Sequence, residues 1–143
     1  MRHRKHTFKI GRTASHRRCM IANMVKSLIV HGRIRTTERK ASELKRHADH
    51  VVALAKSNDN ALANKRKIIG DLMIRYNSLT TKEARAAKVG DTSSYNTDRR
   101  VMGKLDELAK RFANRNGGFT RVIKKGYRVG DGASICYIEY LSE

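Results

Sequence analysis

Apolar residues recur at intervals of three or four in four stretches of the chain, and each stretch predicts one helix. Ser15 is the expected N-cap of the first helix, and Gly32 is its expected C-terminal stop. Thr37 and Thr97 are the expected N-caps of the second and fourth helices. The four apolar stripes are Met20, Met24 and Leu28 with Ile21, Val25 and Ile29 beside them; Ala41, Leu44, Ala48, Val51, Val52 and Ala55; Leu62, Ile69, Leu72 and Met73; and Val101, Met102, Leu105, Leu108, Ala109 and Phe112.

Short alternating segments predict strands at residues 33–37, 119–124 and 134–141. Residues 125–133, which include three glycines, are predicted to join the last two strands as a wide hairpin loop. About four helices with a small mixed β-sheet make an α+β fold. No repeat or internal boundary is evident, so the sequence predicts a single domain over residues 1–143.

Two segments lack this patterning. Residues 1–14 are strongly basic and too poor in apolar residues to fold alone, which is typical of an arm that orders against an anion. Residues 75–98 are mostly polar, and only Lys82 to Lys88 favour a turn or two of helix. They are predicted to be a polar insertion outside the core.

The charge balance indicates what kind of partner the chain binds. The chain has 32 Lys and Arg against 13 Asp and Glu, which gives a net charge of +19. So large an excess favours a polyanionic partner. No apolar run approaches the length of a membrane span. Cys19 and Cys136 lie far apart without a CxxC spacing, so we expect unpaired cysteines in a reducing compartment.

Motifs for catalysis, cofactors or metals are not evident. The chain has neither a GxxxxGK[ST] loop nor a GxGxxG turn after a strand. His47 and His50 are three residues apart without a carboxylate at zincin spacing, which favours a basic, phosphate-facing surface over a metal site. We therefore expect no catalytic, cofactor or metal residues.

The cluster of candidate residues that remains is basic and favours nucleic-acid phosphate as the ligand. Glycines at 117, 118 and 126 would let a nucleic-acid backbone approach, although turn geometry alone explains them equally well. The three Phe and five Tyr predict no stacking platform, so recognition by shape and phosphate is expected. The basic groups are Arg2, Arg4, Lys5, Lys9 and Arg12; His16, Arg17 and Arg18; Arg33 and Arg35; and Arg111, Arg115, Arg121, Lys124, Lys125 and Arg128.

Ordered motifs over most of the chain resemble the bacterial large-subunit ribosomal protein seventeen family. The most specific is Ile34-Arg35-Thr36-Thr37-Glu38-Arg39-Lys40-Ala41, and Arg111-Phe112-Ala113-Asn114-Arg115-Asn116-Gly117-Gly118-Phe119-Thr120-Arg121 is similar to the family's helix–GG–strand junction. The segment 75–98 departs from the common family pattern. The start at Met1 also resembles the family's start, so no cleaved presequence is expected.

This resemblance implies a structural constituent of the ribosome that binds and stabilises folded 23S rRNA in the large subunit, near the exit-tunnel region, in a bacterial cytoplasm. It also implies neighbouring large-subunit proteins, including ribosomal protein thirty-two. The residues predicted to bind rRNA are Arg2, His3, Arg4, Lys5, Arg12, His16, Arg17, Arg18, Asn23, Arg33, Arg35, Lys40, Arg111, Arg115, Gly117, Gly118, Arg121, Lys124 and Arg128.

Two other functions stay open at the level of sequence. A DNA-binding protein is weakly favoured by the helix–strand–helix segment 15–56, although a strand there does not fit the tight turn of a helix-turn-helix motif. An RNA-processing enzyme would need a carboxylate or histidine site, with His47 and His50 as its candidates.

Overall fold

The computed structural model describes residues 9–57, 61–91, 95 and 97–142. These residues form five helices and three strands, of which four helices and three strands match predicted elements. The elements are α1 (Ala14–His31), β1 (Arg33–Thr37), α2 (Glu38–Lys56), α3 (Ala61–Asp71), α4 (Thr81–Lys88), α5 (Thr97–Arg111), β2 (Thr120–Tyr127) and β3 (Ser134–Tyr140). The α+β class is confirmed, whereas the count of four helices is one short.

The three strands form one sheet in the order β1-β3-β2, and both pairings are antiparallel. Ile138 in the central strand pairs with Ile34 on one side and Val122 on the other. The predicted mixed sheet is therefore wrong. A connection as short as residues 128–133 reverses the chain and cannot serve a parallel pair, which needs a long crossover.

The core lies between one face of the sheet and the helices. α2 contacts all three strands and α1 contacts β1 and β3, while α5 packs on α1 and α2. Leu28, Leu44, Leu105, Phe119 and Ile138 are almost wholly buried where these elements meet. The helices thus cover one side of the sheet, and none of the described helices lies across the other side.

The ends of α1 show one confirmed and one wrong prediction. Gly32 takes a left-handed conformation with φ of 71°, and its N–H donates to the carbonyl of Leu28 at 2.8 Å, as expected of a C-terminal glycine. The N-cap is Thr13 and not Ser15, because Thr13 already has the extended backbone of a cap (φ −61°, ψ 159°). Ser15 therefore falls inside the first turn, and Ala14 belongs to the helix and not to the predicted arm.

The predicted third helix exists, but its buried face differs. Leu72 is buried as predicted and Ile68 is buried with it, whereas Leu62 is 63% exposed and Ile69 is only partly buried. The buried line is turned by one residue, about 100° around the helix, from the predicted line through Leu62 and Ile69. α3 then ends at Asp71, and Met73 turns the chain with φ of 51° before Ile74 returns to the core.

Two boundaries near the C-terminus also differ from the prediction. α5 ends at Arg111, well before the expected stop at Asn116-Gly117-Gly118, because residues 112–114 form a turn. β2 continues to Tyr127, past the predicted end at Lys124, through a β-bulge at Gly126, whose φ is 126°. Among the described helices, none is long and apolar enough to cross a membrane.

Candidate nucleic-acid interface

The side of the sheet that no described helix covers carries a concentration of basic side chains. Successive side chains of a strand alternate between faces, so residues paired across the sheet share a face. Arg33 and Arg121 both pair with Glu139, while Arg35 and Ile123 both pair with Tyr137. With Lys125, which reaches the Tyr137 hydroxyl, they form what we call the outer sheet face: Arg33, Arg35, Arg121, Ile123, Lys125, Tyr137 and Glu139.

Glu139 holds two arginines of this face in place. Its Oε1 lies 2.6 Å from Nε of Arg121, and its Oε2 lies 3.2 Å from Nε of Arg33. The carboxylate side chain is only 14% exposed, whereas the arginines stay 50% and 57% exposed. One carboxylate thus orders two guanidinium groups on either side of the central strand and leaves both open to a further anion.

Tyr137 is surrounded by cations at the centre of the outer sheet face. The guanidinium of Arg33 stacks 4.0 Å from the ring centroid, and Nζ of Lys125 donates to the hydroxyl at 2.8 Å. The hydrogen bond from Lys125, with the charges of Lys125, Arg33 and Arg35, lowers the pKa of Tyr137 below its ordinary value. The positive charges of the face therefore converge on one ring.

A groove of about 580 Å³ brings together four of the residues predicted to bind rRNA. It lies between α1, β1 and the start of α2, and we call it the α1–β1 groove. His16, Asn23, Arg35 and Lys40 line it, together with Cys19 and the methionines of α1. Arg35 lies on the edge strand, so it contributes to both the groove and the outer sheet face.

A second groove, of about 620 Å³, lies between α1, α2 and α3 and is also bordered by cations. Arg17, Arg18, His47 and His50 line it, with Arg46 and Lys67, which the sequence did not single out. Glu43 lies in the same groove and pairs with Arg46 at 2.7 Å, and Arg18 donates to the carbonyl of Gly70 at 3.3 Å. Arg18 therefore also links α1 to α3, whereas the Arg46–Glu43 pair lies within α2. No group of three or more His, Cys, Asp or Glu side chains within the described ranges is arranged to hold a metal ion.

The basic residues near the C-terminus do not form the single cluster that their proximity in sequence suggests. Lys124 pairs with Glu38 at 3.2 Å, and Arg128 pairs with Asp131 at the tip of the hairpin. The hydrogen bond from Ser134 and the ammonium of Lys124 lower the pKa of Glu38, and the Arg128 guanidinium lowers the pKa of Asp131 to about 2. Both cations are thus already matched within the chain.

The other predicted residues of this region lie on a different part of the surface. Arg111 ends α5 and lines a small groove with His31 and Lys104. Arg115 donates from Nε to the carbonyl of Gly117 at 3.1 Å, and Gly118 has φ of 64°. Turn geometry therefore requires Gly118, while both glycines remain open to solvent.

The predicted arm lies mostly beyond the described residues. Arg2, His3, Arg4 and Lys5 fall outside them, whereas Arg12 is exposed in a turn where its N–H donates to the carbonyl of Lys9 at 3.1 Å. Tyr137 and Lys125, at the centre of the outer sheet face, were absent from the predicted rRNA-binding set. Strand alternation predicts which residues of one strand share a face, but it does not predict which strands pair. That Tyr137 lies beside Arg35 follows only from the pairing of β1 with β3.

Comparisons with known proteins decide the family. A family model described as Ribosomal protein L17 matches residues 20–141. The chain belongs to the ribosomal protein L17 family. Proteins described as "Large ribosomal subunit protein bL17" are similar to it over their whole length: those of Chlamydia trachomatis serovar L2 (58% identical over 143 residues, 99% of this chain and 100% of the relative), Chlamydia muridarum (58% over 144 residues, 100% of each) and Protochlamydia amoebophila (57% over 144 residues, 100% of each).

The resemblance seen in the sequence is thereby confirmed. The L17 family consists of structural proteins of the ribosome and not of enzymes, so the RNA-processing alternative is wrong. Membership in a ribosomal family also decides against the DNA-binding alternative. The outer sheet face therefore belongs to a protein of the large ribosomal subunit.

Proposed function

We propose that this L17-family protein, a structural constituent of the large ribosomal subunit, holds folded 23S rRNA through the outer sheet face and the α1–β1 groove. The observation that carries the proposal is the convergence of Arg33, Arg35 and Lys125 on Tyr137, on a side of the sheet that no described helix covers. A predominantly cationic face on a chain of net charge +19 fits a polyanion.

The outer sheet face suits phosphate recognition because its arginines are already ordered. A guanidinium forms two parallel hydrogen bonds to a phosphate, and ordering it in advance lowers the entropy lost on binding. Glu139 and the Tyr137 ring restrain Arg33, and Glu139 restrains Arg121. The protein thereby presents a fixed spacing of charges to the RNA, which braces one arrangement of its backbone.

The α1–β1 groove adds groups that do more than neutralise charge. Asn23 offers both a donor and an acceptor, which can meet a 2′-hydroxyl or an exposed base edge. Lys40 and Arg35 flank it with positive charge. We expect this groove to take an RNA strand that continues from the outer sheet face, since Arg35 belongs to both.

Lys124 and Arg128 are weaker members of the proposed set. Each already has a carboxylate partner, Glu38 or Asp131. An RNA phosphate that binds there replaces a carboxylate, so the contact should contribute less to the free energy of binding than a contact at Arg35. The remaining proposed contacts are Arg12, His16, Arg17, Arg18, Arg111, Arg115, Gly117 and Gly118, with Arg2, His3, Arg4 and Lys5 of the predicted arm.

The double variant Arg35→Gln with Lys125→Gln tests the outer sheet face without breaking an ion pair, because neither residue pairs with a carboxylate in the described part of the chain. The slope of log affinity for 23S rRNA against log salt should fall by roughly 1.4–1.8 for two lost phosphate contacts. The matched control is Arg66→Gln with Lys110→Gln, which removes the same charges from exposed positions on α3 and α5. An equal decrease of the salt slope in both variants would show that binding depends only on net charge and would refute the proposed surface.

Deletion of residues 1–12 tests the arm. Thr13, the N-cap of α1, is retained, so the folded body should keep its helix content. We expect weaker incorporation into large subunits and a smaller salt dependence of binding. Unchanged incorporation would remove the arm from the proposed interface.

We also propose that the hairpin tip contacts a neighbouring large-subunit protein, with ribosomal protein thirty-two as the candidate from the family resemblance. Tyr127 is 79% exposed, and Val129 is fully exposed. Neighbouring apolar side chains that face solvent support a protein contact. A photo-reactive residue at Val129 in assembled subunits should yield a crosslink of the mass expected for that neighbour. A crosslink to RNA alone would contradict this assignment.

A further inference from the structure

The segment between α3 and α5 leaves the body and returns to it at one clamped point. Oδ2 of Asp98 accepts the backbone N–H of Arg75 at 2.8 Å, and Oδ1 pairs with Lys26 of α1 at 2.9 Å. Beside this clamp, Arg99 donates to the carbonyl of Asn77 at 2.7 Å. The two ends of the segment are therefore fixed to each other and to α1.

α4, in the middle of this segment, is stabilised by its own sequence and not by the core. Thr80 and Glu83 form a capping box: Glu83 Oε2 accepts from the backbone N–H and the hydroxyl of Thr80, each at 2.8 Å. None of the residues of α4 is buried. Since the core gains little from this helix, packing does not account for its presence.

The most exposed side of α4 is basic along its whole length. Lys82, Arg85 and Lys88 are exposed at every third position, whereas Glu83 and the alanines are partly covered. Positions three apart lie on neighbouring parts of a helix face, so the three charges form a row about 9 Å long. No ion pair joins these three residues to a carboxylate in the described part of the chain. Glu83 lowers the net charge of α4 by one, but its carboxylate is held in the cap by Thr80 and forms no ion pair with Lys82, Arg85 or Lys88.

We propose that α4 is a separate RNA-binding element, whose row of Lys82, Arg85 and Lys88 contacts the sugar-phosphate backbone of a second rRNA segment. This inference rests on the proposed function but uses none of the residues of the outer sheet face or the α1–β1 groove. RNA is favoured over a protein partner because the row has no apolar or aromatic side chain, and because two of its three residues are lysines, which are depleted in protein interfaces. The clamp at Asp98 ties both ends of the segment that carries α4 to α1.

The test is the full-length triple variant Lys82→Gln, Arg85→Gln and Lys88→Gln. Its control, Lys45→Gln, Arg66→Gln and Lys110→Gln, removes the same charges from exposed sites dispersed over α2, α3 and α5. Binding to 23S rRNA is measured at graded salt, with circular dichroism to confirm equal folding. We expect the α4 variant to lower the salt slope by about 2–3 and the control to lower it by less than 1. Equal slopes for the α4 variant and the unmodified chain would overturn the inference.

A second readout separates RNA from a protein partner. A tethered iron chelate at position 81, installed as Thr81→Cys with Cys19→Ser to remove the exposed thiol, generates hydroxyl radicals in assembled large subunits. Strand scission of 23S rRNA at one or a few sites supports α4 as an RNA contact. Cleavage confined to a neighbouring protein overturns it. If the unmodified chain binds rRNA without any salt dependence, the proposed function itself fails, which is distinct from failure of α4 alone.

Discussion

The Glu139 carboxylate accepts a hydrogen bond of 2.6 Å from Nε of Arg121 on the neighbouring strand. Its other oxygen pairs with Arg33 across the sheet, so a single acidic residue restrains two cations on an otherwise basic face. This arrangement limits the charge of the outer sheet face and at the same time gives its arginines a fixed orientation. It therefore predicts opposite effects of one substitution on stability and on RNA binding.

Glu139→Gln should lower the free energy of unfolding by no more than about 1 kcal/mol, because both arginines are half exposed and surface pairs contribute little. The salt slope of RNA binding should rise by no more than about 0.9, since the carboxylate that partly offsets the charges of Arg33 and Arg121 is removed. Urea denaturation and rRNA titration measure the two effects. The control Glu107→Gln removes one exposed negative charge on α5 without releasing an arginine of this face, and an equal rise there would contradict the prediction.

Local signals in the sequence predicted the elements well, because the residues that set them are neighbours in the chain. The stripe through Val101, Leu105 and Leu108 is buried as expected, and Gly32 ends α1 in the left-handed conformation that few other residues tolerate. Thr37 also precedes α2 as predicted, although its side chain makes no capping hydrogen bond. Periodicity and turn chemistry act within a few residues, which is the range that a single sequence reports.

The candidate site could be predicted only in part, because its geometry depends on pairs that are far apart in sequence. Arg33 and Tyr137 are stacked only because β1 pairs with β3, and the sequence of neither strand predicts that pairing. The same holds for Lys26 and Asp98, which are separated by 72 positions. The arginines were selected because of their residue type alone. The sequence therefore did not distinguish Arg35, which has no carboxylate partner among the described residues, from Arg128, which pairs with Asp131.

Asp98→Asn should destabilise the protein by about 1–3 kcal/mol, because a partly buried carboxylate loses its charge-assisted bonds to Lys26 and to the N–H of Arg75. Burial would raise the pKa of Asp98, but the bonds from Arg75 and Lys26 outweigh it and hold the pKa below the ordinary 3.8. A depressed pKa stabilises the folded state above the unfolded value, and this contribution disappears as pH falls through the folded value.

The difference in stability between the unmodified chain and Asp98→Asn should therefore be full at neutral pH and shrink below about pH 4. Chemical denaturation at a series of pH values measures it. Asp106→Asn, at an exposed position on α5, serves as the control and should show little difference at any pH. A difference that stayed constant down to pH 2 would rule out the ion pair as its source.

Two glycines with open space around them should respond oppositely to alanine. At Gly32 the φ of 71° strains any L side chain, so Gly32→Ala should cost about 1 kcal/mol. Gly70 lies inside α3, so Gly70→Ala should stabilise the protein by about 0.5–1 kcal/mol. Thermal and urea denaturation of both variants check the signs. Destabilisation by both would show that space and not backbone conformation limits these positions.

The hydroxyl of Tyr140 is buried, and no group in the described part of the chain forms a hydrogen bond with it. Burial, with the nearby charge of Asp49, raises the pKa of Tyr140 well above its ordinary value. Its ring packs 6.4 Å from that of Phe112, a contact that phenylalanine would keep. Because an unsatisfied buried hydroxyl costs free energy, Tyr140→Phe should leave stability unchanged or raise it by about 1 kcal/mol.

Tyr137→Phe is the matched comparison, since it removes a hydroxyl that accepts a hydrogen bond of 2.8 Å from Lys125. It should lower the free energy of unfolding by about 0.5–1 kcal/mol, as expected for one hydrogen bond near the surface. Urea denaturation of the two variants side by side gives the contrast. A loss above about 1 kcal/mol for Tyr140→Phe would mean that a bound water satisfies the buried hydroxyl, and the sign predicted for that substitution would be wrong.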